Sequence, residues 1–317
     1  MDLDKLKNLY QQMLFCRRFE ERVLTAYTSQ KFSGFCHLHI GQEAVCVGIQ
    51  ANLQESDHMI SGYRSHTQAI MKGLSAKEVF AELLGREAGC SRGKGGSMHM
   101  FSKEKRFYGG HGIVGGQAPI AAGVGFEIRY NDKNEVMVCY LGDAAMNQGQ
   151  VYEAMNMAAT WDLPVLYVIE NNQYGMGTDI RRTTSIDHLS KRALGFDMAN
   201  SRVDGMNVLK MIEHTAPIID QMRKDHKPYL LEAITYRYKG HSVSDPASYR
   251  TKEELTAWQD LDPLSQLAKE LKKQGCLEDE LTDFDKNIRA EVRDIEAQAE
   301  ACSFSDPAET WMHVLAP

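Results

Sequence analysis

The sequence predicts an α/β domain with a largely parallel central sheet flanked by helices, extended by helices at both ends. Three observations carry this. Two short apolar runs, Glu135–Leu141 and Leu163–Ile169, bracket a helical segment at Gln150–Trp161. Strand, helix and strand at that spacing make a βαβ unit, and parallel strands buried on both faces read as unbroken apolar stretches. Residues 2–30 and the chain beyond Lys252 carry the charged, helically periodic pattern of amphipathic helices. The composition, 43% hydrophobic and 25% charged over 317 residues, is that of an ordinary globular chain and not of a disordered, fibrous or disulfide-stapled one.

In chain order, residues 2–30 place Leu3, Leu6, Leu9, Tyr10, Met13 and Leu14 on one helical face. Residues 43–54 and 75–85 read as further helices, the second opened by Ser75 and Glu78 in capping-box spacing. Glycines then crowd between Gly85 and Gly116, which makes either a long flexible loop or a wall that approaches a ligand closely. The βαβ unit follows. Asn207–Met222 is expected to be a helix despite Pro217, and Tyr229–Tyr236 a strand. Residues 1–317 are expected to form one domain, with an N-terminal helical arm to about residue 56 and a C-terminal helical extension from about 252 to 317.

The formal net charge of -7 and the pI near 5.9 offer no basic field for nucleic acid. The longest apolar stretches fall far short of the roughly 18–20 residues of a membrane span. The start has neither signal-peptide nor transit-peptide character. Seven scattered cysteines without a C-x-x-C pair favour reduced thiols in a cytoplasm.

Two glycine patterns resemble nucleotide motifs and are rejected. Gly110-His111-Gly112-Ile113-Val114-Gly115 matches G-x-G-x-x-G, but the charged segment 103–108 stands where an apolar strand is required. Gly89–Gly95 lacks the spacing and the Ser or Thr of a P-loop. Cys36, His37, His39, His99 and His111 lack zinc-ligand spacing, so pocket-lining histidines are expected instead.

The ends of the two apolar runs are different. Asp143 follows the first and Asn171-Asn172 the second. In a parallel sheet both ends lie on the edge where ligands bind. A carboxylate and a carboxamide there suit a hard cation such as Mg²⁺, and the backbone N–H groups at Gly142 and at a helix start expected beyond 144 suit a diphosphate. A plain capping Asp and an Asn turn are the alternative for these residues alone.

Gly142-Asp143-Ala144 and Asn171-Asn172 stand at the interval of the thiamine diphosphate motif, which opens G-D-G and closes N-N. Gly34-Phe35-Cys36-His37, Gly41-Gln42-Glu43-Ala44, Tyr63-Arg64-Ser65-His66, Gly93–His99, Gly112–Gly115, Asn147–Gln150, Glu170–Gly177 and Tyr236–Ser242 surround it in order. Together they resemble the α subunits of the pyruvate dehydrogenase E1 family over nearly the whole chain.

The resemblance implies a thiamine diphosphate-binding fold. It implies Mg²⁺ ligation by Asp143, Asn172 and the carbonyl of Tyr174, and diphosphate contacts from Tyr63 and Arg64. It further implies cofactor contacts around Ala144 and Gly175, and backbone contacts to the aminopyrimidine from Gly112 and Val114. His241 would stand beside the diphosphate on a mobile loop. His37 and Phe35 would line the substrate side, with His37 and His241 as the proton-transferring groups. Ala144 departs from the motif's second glycine and weakens the site if that position needs a positive φ. Ser242 and Ser248 lie where related mitochondrial enzymes are phosphorylated. The expected reaction is oxidative decarboxylation of pyruvate, with the acetyl group passed to the lipoyl domain of an E2 dihydrolipoyl acetyltransferase. The catalytic glutamate would come from a β subunit in an α₂β₂ heterotetramer. An acetoin or branched-chain 2-oxo acid dehydrogenase α subunit, or a noncatalytic assembly subunit, are the alternatives.

Overall fold

A computed structural model describes residues 1–312 and 314. The chain order is α1 (Leu3–Thr28), α2 (Glu43–Gln50), β1 (His58–Gly62), α3 (His66–Met71), α4 (Ala76–Leu83), β2 (Phe107–His111), α5 (Gln117–Tyr130), β3 (Met137–Gly142), α6 (Gly149–Thr160) and β4 (Val165–Asn171). A two-stranded ribbon, β5 (Tyr174–Gly175) and β6 (Thr178–Asp179), follows. Then come β7 (Ala199–Asp204), α7 (Val208–Asp225), β8 (Tyr229–Ile234), α8 (Lys252–Gln259), α9 (Pro263–Lys273) and α10 (Glu278–Glu300). The C-terminal extension expected to reach 317 closes, among the described residues, in a 3₁₀ turn at Pro307–Trp311; residues 313 and 315–317 lie outside the description.

The main sheet has the order β2-β1-β3-β4-β8-β7, and every pairing in it is parallel. Its centre is apolar because alternate residues serve two cores. Val138, Tyr140, Leu166 and Val168 face the core shared with α1, α2 and α7. Met137, Cys139, Leu141, Val165, Tyr167 and Ile169 face the core under α5 and α6. This two-sided burial is what the unbroken apolar runs signalled.

β1 connects toward β2 on one side, while β3 lies on its other side and leads to β4. The chain therefore reverses direction across the sheet between β1 and β3, and the crevice outside their carboxyl ends is where open α/β sheets take ligands.

The terminal helices lie on the domain. Arg18 pairs with Asp285 at 2.5 Å, and Lys7 with Glu280 and Arg22 with Glu296, tying α1 to α10. The capping box at α4 is present as expected, with Ser75 Oγ and Glu78 exchanging bonds across the first turn. Pro217 sits inside α7 without ending it.

Three readings change. Residues 107–111 do form a strand, contrary to the reading of 103–108 as mere charge. β2 is an edge strand, so its sequence needs no apolar run; the first glycine of the pattern, Gly110, lies within it, and Gly112 and Gly115 follow in the loop before α5. The helix expected just beyond Ala144 is a 3₁₀ turn, Ala144–Asn147, and α6 starts only at Gly149. The first half of the glycine-rich stretch is neither a flexible loop nor a ligand wall. It wraps the fully buried carboxylate of Glu82, whose Oε2 accepts from the N–H groups of Ser91 (2.7 Å) and Gly93 (2.9 Å). Its Oε1 accepts from Gly95 (2.7 Å) and Gly96 (3.0 Å). A β-carbon at Gly89 would stand 2.4 Å from Glu82 Oε2, which is why the wrap is built of glycine.

Candidate functional site

A cavity of about 290 Å³ opens at the β1/β3 crevice. The sheet delivers its walls. Tyr63 and Arg64 follow β1, Asp143 and Ala144 follow β3, Glu170 and Asn172 come from the end of β4, and Arg237 and His241 follow β8. Val114 and Gly115 enter from the loop after β2, and Gly175 and Met176 from the ribbon.

Asp143 is 1% exposed and its Oδ2 has no hydrogen-bond partner. Burial pushes its pKa up to about 6, against the pull of the Arg237 charge and of the Ala144 and Asn172 amides. A buried carboxylate held this way has an unmet need for positive charge. Asn172 lies alongside, its Nδ2 donating to Gln42 Oε1 at 3.1 Å while its Oδ1 takes a long bond from Tyr174 N at 3.4 Å. Asn171 points the other way along the strand and donates to Glu232 at 2.8 Å, so the two asparagines have different work. Ala144 has a negative φ, so the methyl costs no backbone strain there.

Two buried arginines complete the electrostatics. Arg64 gives its guanidinium to the carbonyls of Leu38 and His241. Arg237 gives its own to the carbonyls of Lys239, Tyr174 and Met176 and to the hydroxyl of Tyr249. Among the described residues neither has a carboxylate within ion-pairing distance. Burial first, then the neighbouring Arg237, lowers the pKa of Arg64 to about 10. Two uncompensated guanidinium groups over one cavity form an anion site, and their planar forks suit phosphate oxygens.

The histidines stand at one end. The His37 ring lies 4.6 Å from the Tyr63 ring and 5.1 Å from that of His241. Burial and the Arg64 charge lower His37 to about 2 and His241 to about 4. The Nδ1 atoms of both are buried without partners. His241 is held by its backbone N–H, which donates to Asp245 Oδ2 at 2.6 Å.

Of the residues singled out from the sequence, Tyr63, Arg64, Val114, Asp143, Ala144, Asn172, Tyr174, Gly175 and His241 share the cavity wall. His37 stands behind Tyr63 and His241 rather than on the wall. Gly112 is displaced from it and packs near the His99 ring. Phe35 is 69% exposed and lies off the wall. Ser242 is half-buried with its Oγ 2.9 Å from that of Ser244, and Ser248 is exposed. Gln42, Glu170 and Arg237 belong to the wall and were not singled out, although each stands in a stretch quoted above: G-Q-E-A, E-N-N and Y-R-Y.

The switch-point cavity thus sets two guanidinium groups without ion-pair partners beside a buried carboxylate, Asp143, whose Oδ2 has no partner among the described residues. The chain belongs to the dehydrogenase E1 component family, which it matches over residues 11–308. It is 48% identical over 306 residues to the pyruvate dehydrogenase E1 component subunit alpha of Rhizobium meliloti (strain 1021), covering 96% of this chain and 86% of that one. It is 46% identical to the subunit of the same name from Zymomonas mobilis, covering 99% and 89%. The mitochondrial alpha-1 subunit of Arabidopsis thaliana is 42% identical, covering 98% and 80%.

Proposed function

We propose that this chain is the α subunit of a pyruvate dehydrogenase E1 component, holding the diphosphate end of thiamine diphosphate and its Mg²⁺. The observation that carries this is the pairing, in one cavity, of two buried guanidinium groups without ion-pair partners among the described residues and a buried carboxylate, Asp143, whose Oδ2 has none. Arg64 and Tyr63 grip the diphosphate. Asp143, the Asn172 carboxamide and the Tyr174 carbonyl hold Mg²⁺, which relieves the buried charge of Asp143. Ala144 and Gly175 offer backbone at the phosphates, and the Gly112 and Val114 backbones face the aminopyrimidine. The bound cofactor supplies an electron sink for decarboxylation of a 2-oxo acid.

Burial and the Arg64 charge hold His37 and His241 neutral, and the Nδ1 of each has no partner among the described residues; a bound diphosphate, by offsetting that charge, would raise both toward the range of proton-transferring groups. Phe35 borders the substrate channel. Pyruvate is the substrate, and the lipoyl domain of an E2 dihydrolipoyl acetyltransferase takes the acetyl group. The α designation of the relatives implies a β counterpart. Val114 and Met176, 38% and 65% exposed at the cavity wall, give that β subunit an apolar rim to cover in an α₂β₂ assembly. Seven free thiols agree with a cytoplasmic setting.

Calorimetry with thiamine diphosphate and Mg²⁺ on the chain assembled with its β subunit tests the reading. Binding that is lost in Arg64→Ala, together with decarboxylation of pyruvate in preference to branched 2-oxo acids, is expected. Absence of binding in the assembled pair leaves the chain an assembly subunit.

A further inference from the structure

Behind the cavity wall lies a group of buried polar side chains that neither the cation nor the diphosphate explains. Glu20, on α1, is 1% exposed. Its Oε2 lies 2.9 Å from His66 Nδ1, and its Oε1 accepts from the backbone N–H of His39 at 3.0 Å. His66, fully buried, places Nε2 2.9 Å from Ser97 Oγ. Ser97 Oγ accepts in turn from the backbone N–H of His37 at 3.3 Å.

Donor and acceptor counting gives this chain one direction. A carboxylate only accepts, so His66 carries its proton on Nδ1. In the neutral ring Nε2 then accepts the Ser97 hydroxyl proton, and the Ser97 oxygen keeps its lone pairs for the His37 N–H. Every hydrogen points toward Glu20. The same carboxylate holds the other end of the segment at His39, whose Nε2 lies 2.7 Å from Glu170, a residue of the cavity wall. Between the two anchored positions, the Leu38 carbonyl receives Arg64.

Among the described residues no Lys or Arg pairs with Glu20; its side-chain partner is His66, at 2.9 Å. A carboxylate in such a place is costly and is retained for what it specifies. What it specifies here is the path of residues 37–39, and through that path the place of the His37 ring against Tyr63 and His241.

We propose that Glu20, His66 and Ser97 are positioning residues: a one-way hydrogen-bond chain that sets the His37 backbone and holds its imidazole at the reacting end of the site. The proposal rests on the role given to His37 above. Glu20→Gln is the sharp probe. It keeps every heavy-atom position, but its amide donates where the carboxylate accepted. With the amide oxygen kept on the His39 N–H, its NH₂ group faces His66 Nδ1, so His66 moves its proton to Nε2 and Ser97 faces two donors.

The experiment uses ¹⁵N-histidine-labelled chain assembled with its β subunit. In the wild type, the ring-nitrogen shifts of His66, assigned by their loss in His66→Asn, are expected to report protonated Nδ1. In Glu20→Gln they exchange. Turnover of pyruvate falls about 10- to 100-fold in both Glu20→Gln and Ser97→Ala, the scale of a displaced catalytic group. Calorimetric affinity for thiamine diphosphate with Mg²⁺ falls less than turnover does, because Asp143 is untouched and Arg64 keeps its bond to the His241 carbonyl. Wild-type turnover in both variants, or a wild-type His66 protonated on Nε2, overturns the proposal; the second result needs no folded variant. An assembled wild type that decarboxylates no 2-oxo acid refutes the function proposed for the chain instead.

Discussion

Ala144 and Gly175 share the space of one methyl group. A β-carbon built on Gly175 would lie 2.4 Å from Ala144 Cβ, and among the described residues, its chain neighbours aside, the one other atom within 4 Å is Ala144 Cα at 3.8 Å. The backbone at Gly175 has no positive φ, so contact alone forbids a side chain there. Gly175→Ala should therefore cost about 1–3 kcal/mol as overpacking. In an Ala144→Gly background the same change should be nearly free. Denaturant unfolding of the four proteins gives the coupling energy, expected at about 1–3 kcal/mol. Additive effects would show that the two positions do not meet.

Glu82 is the second site where one side chain organises many backbone groups. Its carboxylate accepts four N–H bonds from residues 91–96, and hydrogen bonds to a charged group contribute about 1.5–3 kcal/mol each. Glu82→Gln turns one acceptor into a donor facing two N–H groups. We expect a loss of about 2–4 kcal/mol in urea unfolding and new protease cleavage within 89–97. Unchanged stability would contradict the carboxylate's role.

Asp143 gives a trade between stability and binding. Its pKa is raised, so the folded chain holds this proton more tightly than the unfolded one. Its contribution is full below about pH 4 and is lost as pH rises through about 6. Above that, the cation-free chain bears the cost of the buried charge, on the order of 3 kcal/mol. Asp143→Asn should raise the thermal midpoint of the free chain at pH 7.5 and abolish any further rise on adding Mg²⁺ with thiamine diphosphate. A variant less stable than the parent would argue against an uncompensated charge.

His37 and His241 respond in the opposite sense. Both pKa values are depressed, so the unfolded chain binds more protons below pH 6.5. The stability they contribute is present above that value and is lost as pH falls through about 4 for His241. A diphosphate placed beside Arg64 would raise His241 again. Binding of thiamine diphosphate at pH 5.5 should then take up protons, and at pH 8 it should take up none. Calorimetry in buffers of different ionisation enthalpy reads this directly, and His241→Asn should remove the uptake.

The βαβ unit was legible because β3 and β4 are buried on both faces. β1 was not, since His58 and Ser61 interrupt it, and β7 was not, because only Val203 in it is buried. α5 was missed because Pro119, Gly123 and Gly125 mask its period. At the site, residues at strand ends could be read because the sheet puts them on one edge. Arg237 stood in a motif quoted for His241, but its unpaired charge is visible only once the surrounding carbonyls are in place. Glu20 and Ser97 were beyond reach: they lie on α1 and in the glycine loop, and only packing brings them to His66.

The strand order has a consequence for synthesis. β1 supplies Arg64 early, β3 supplies Asp143 midway, and Arg237 and His241 arrive only after β8, the strand that pairs with β4 on one side and β7 on the other. A ribosome must therefore deliver most of the chain before any cofactor pocket exists. The N-terminal half can pair β2, β1 and β3 but lacks β4, β8 and β7, and must survive without a ligand to shelter it. Supplying thiamine during expression rewards molecules that have already folded and does nothing for those still emerging.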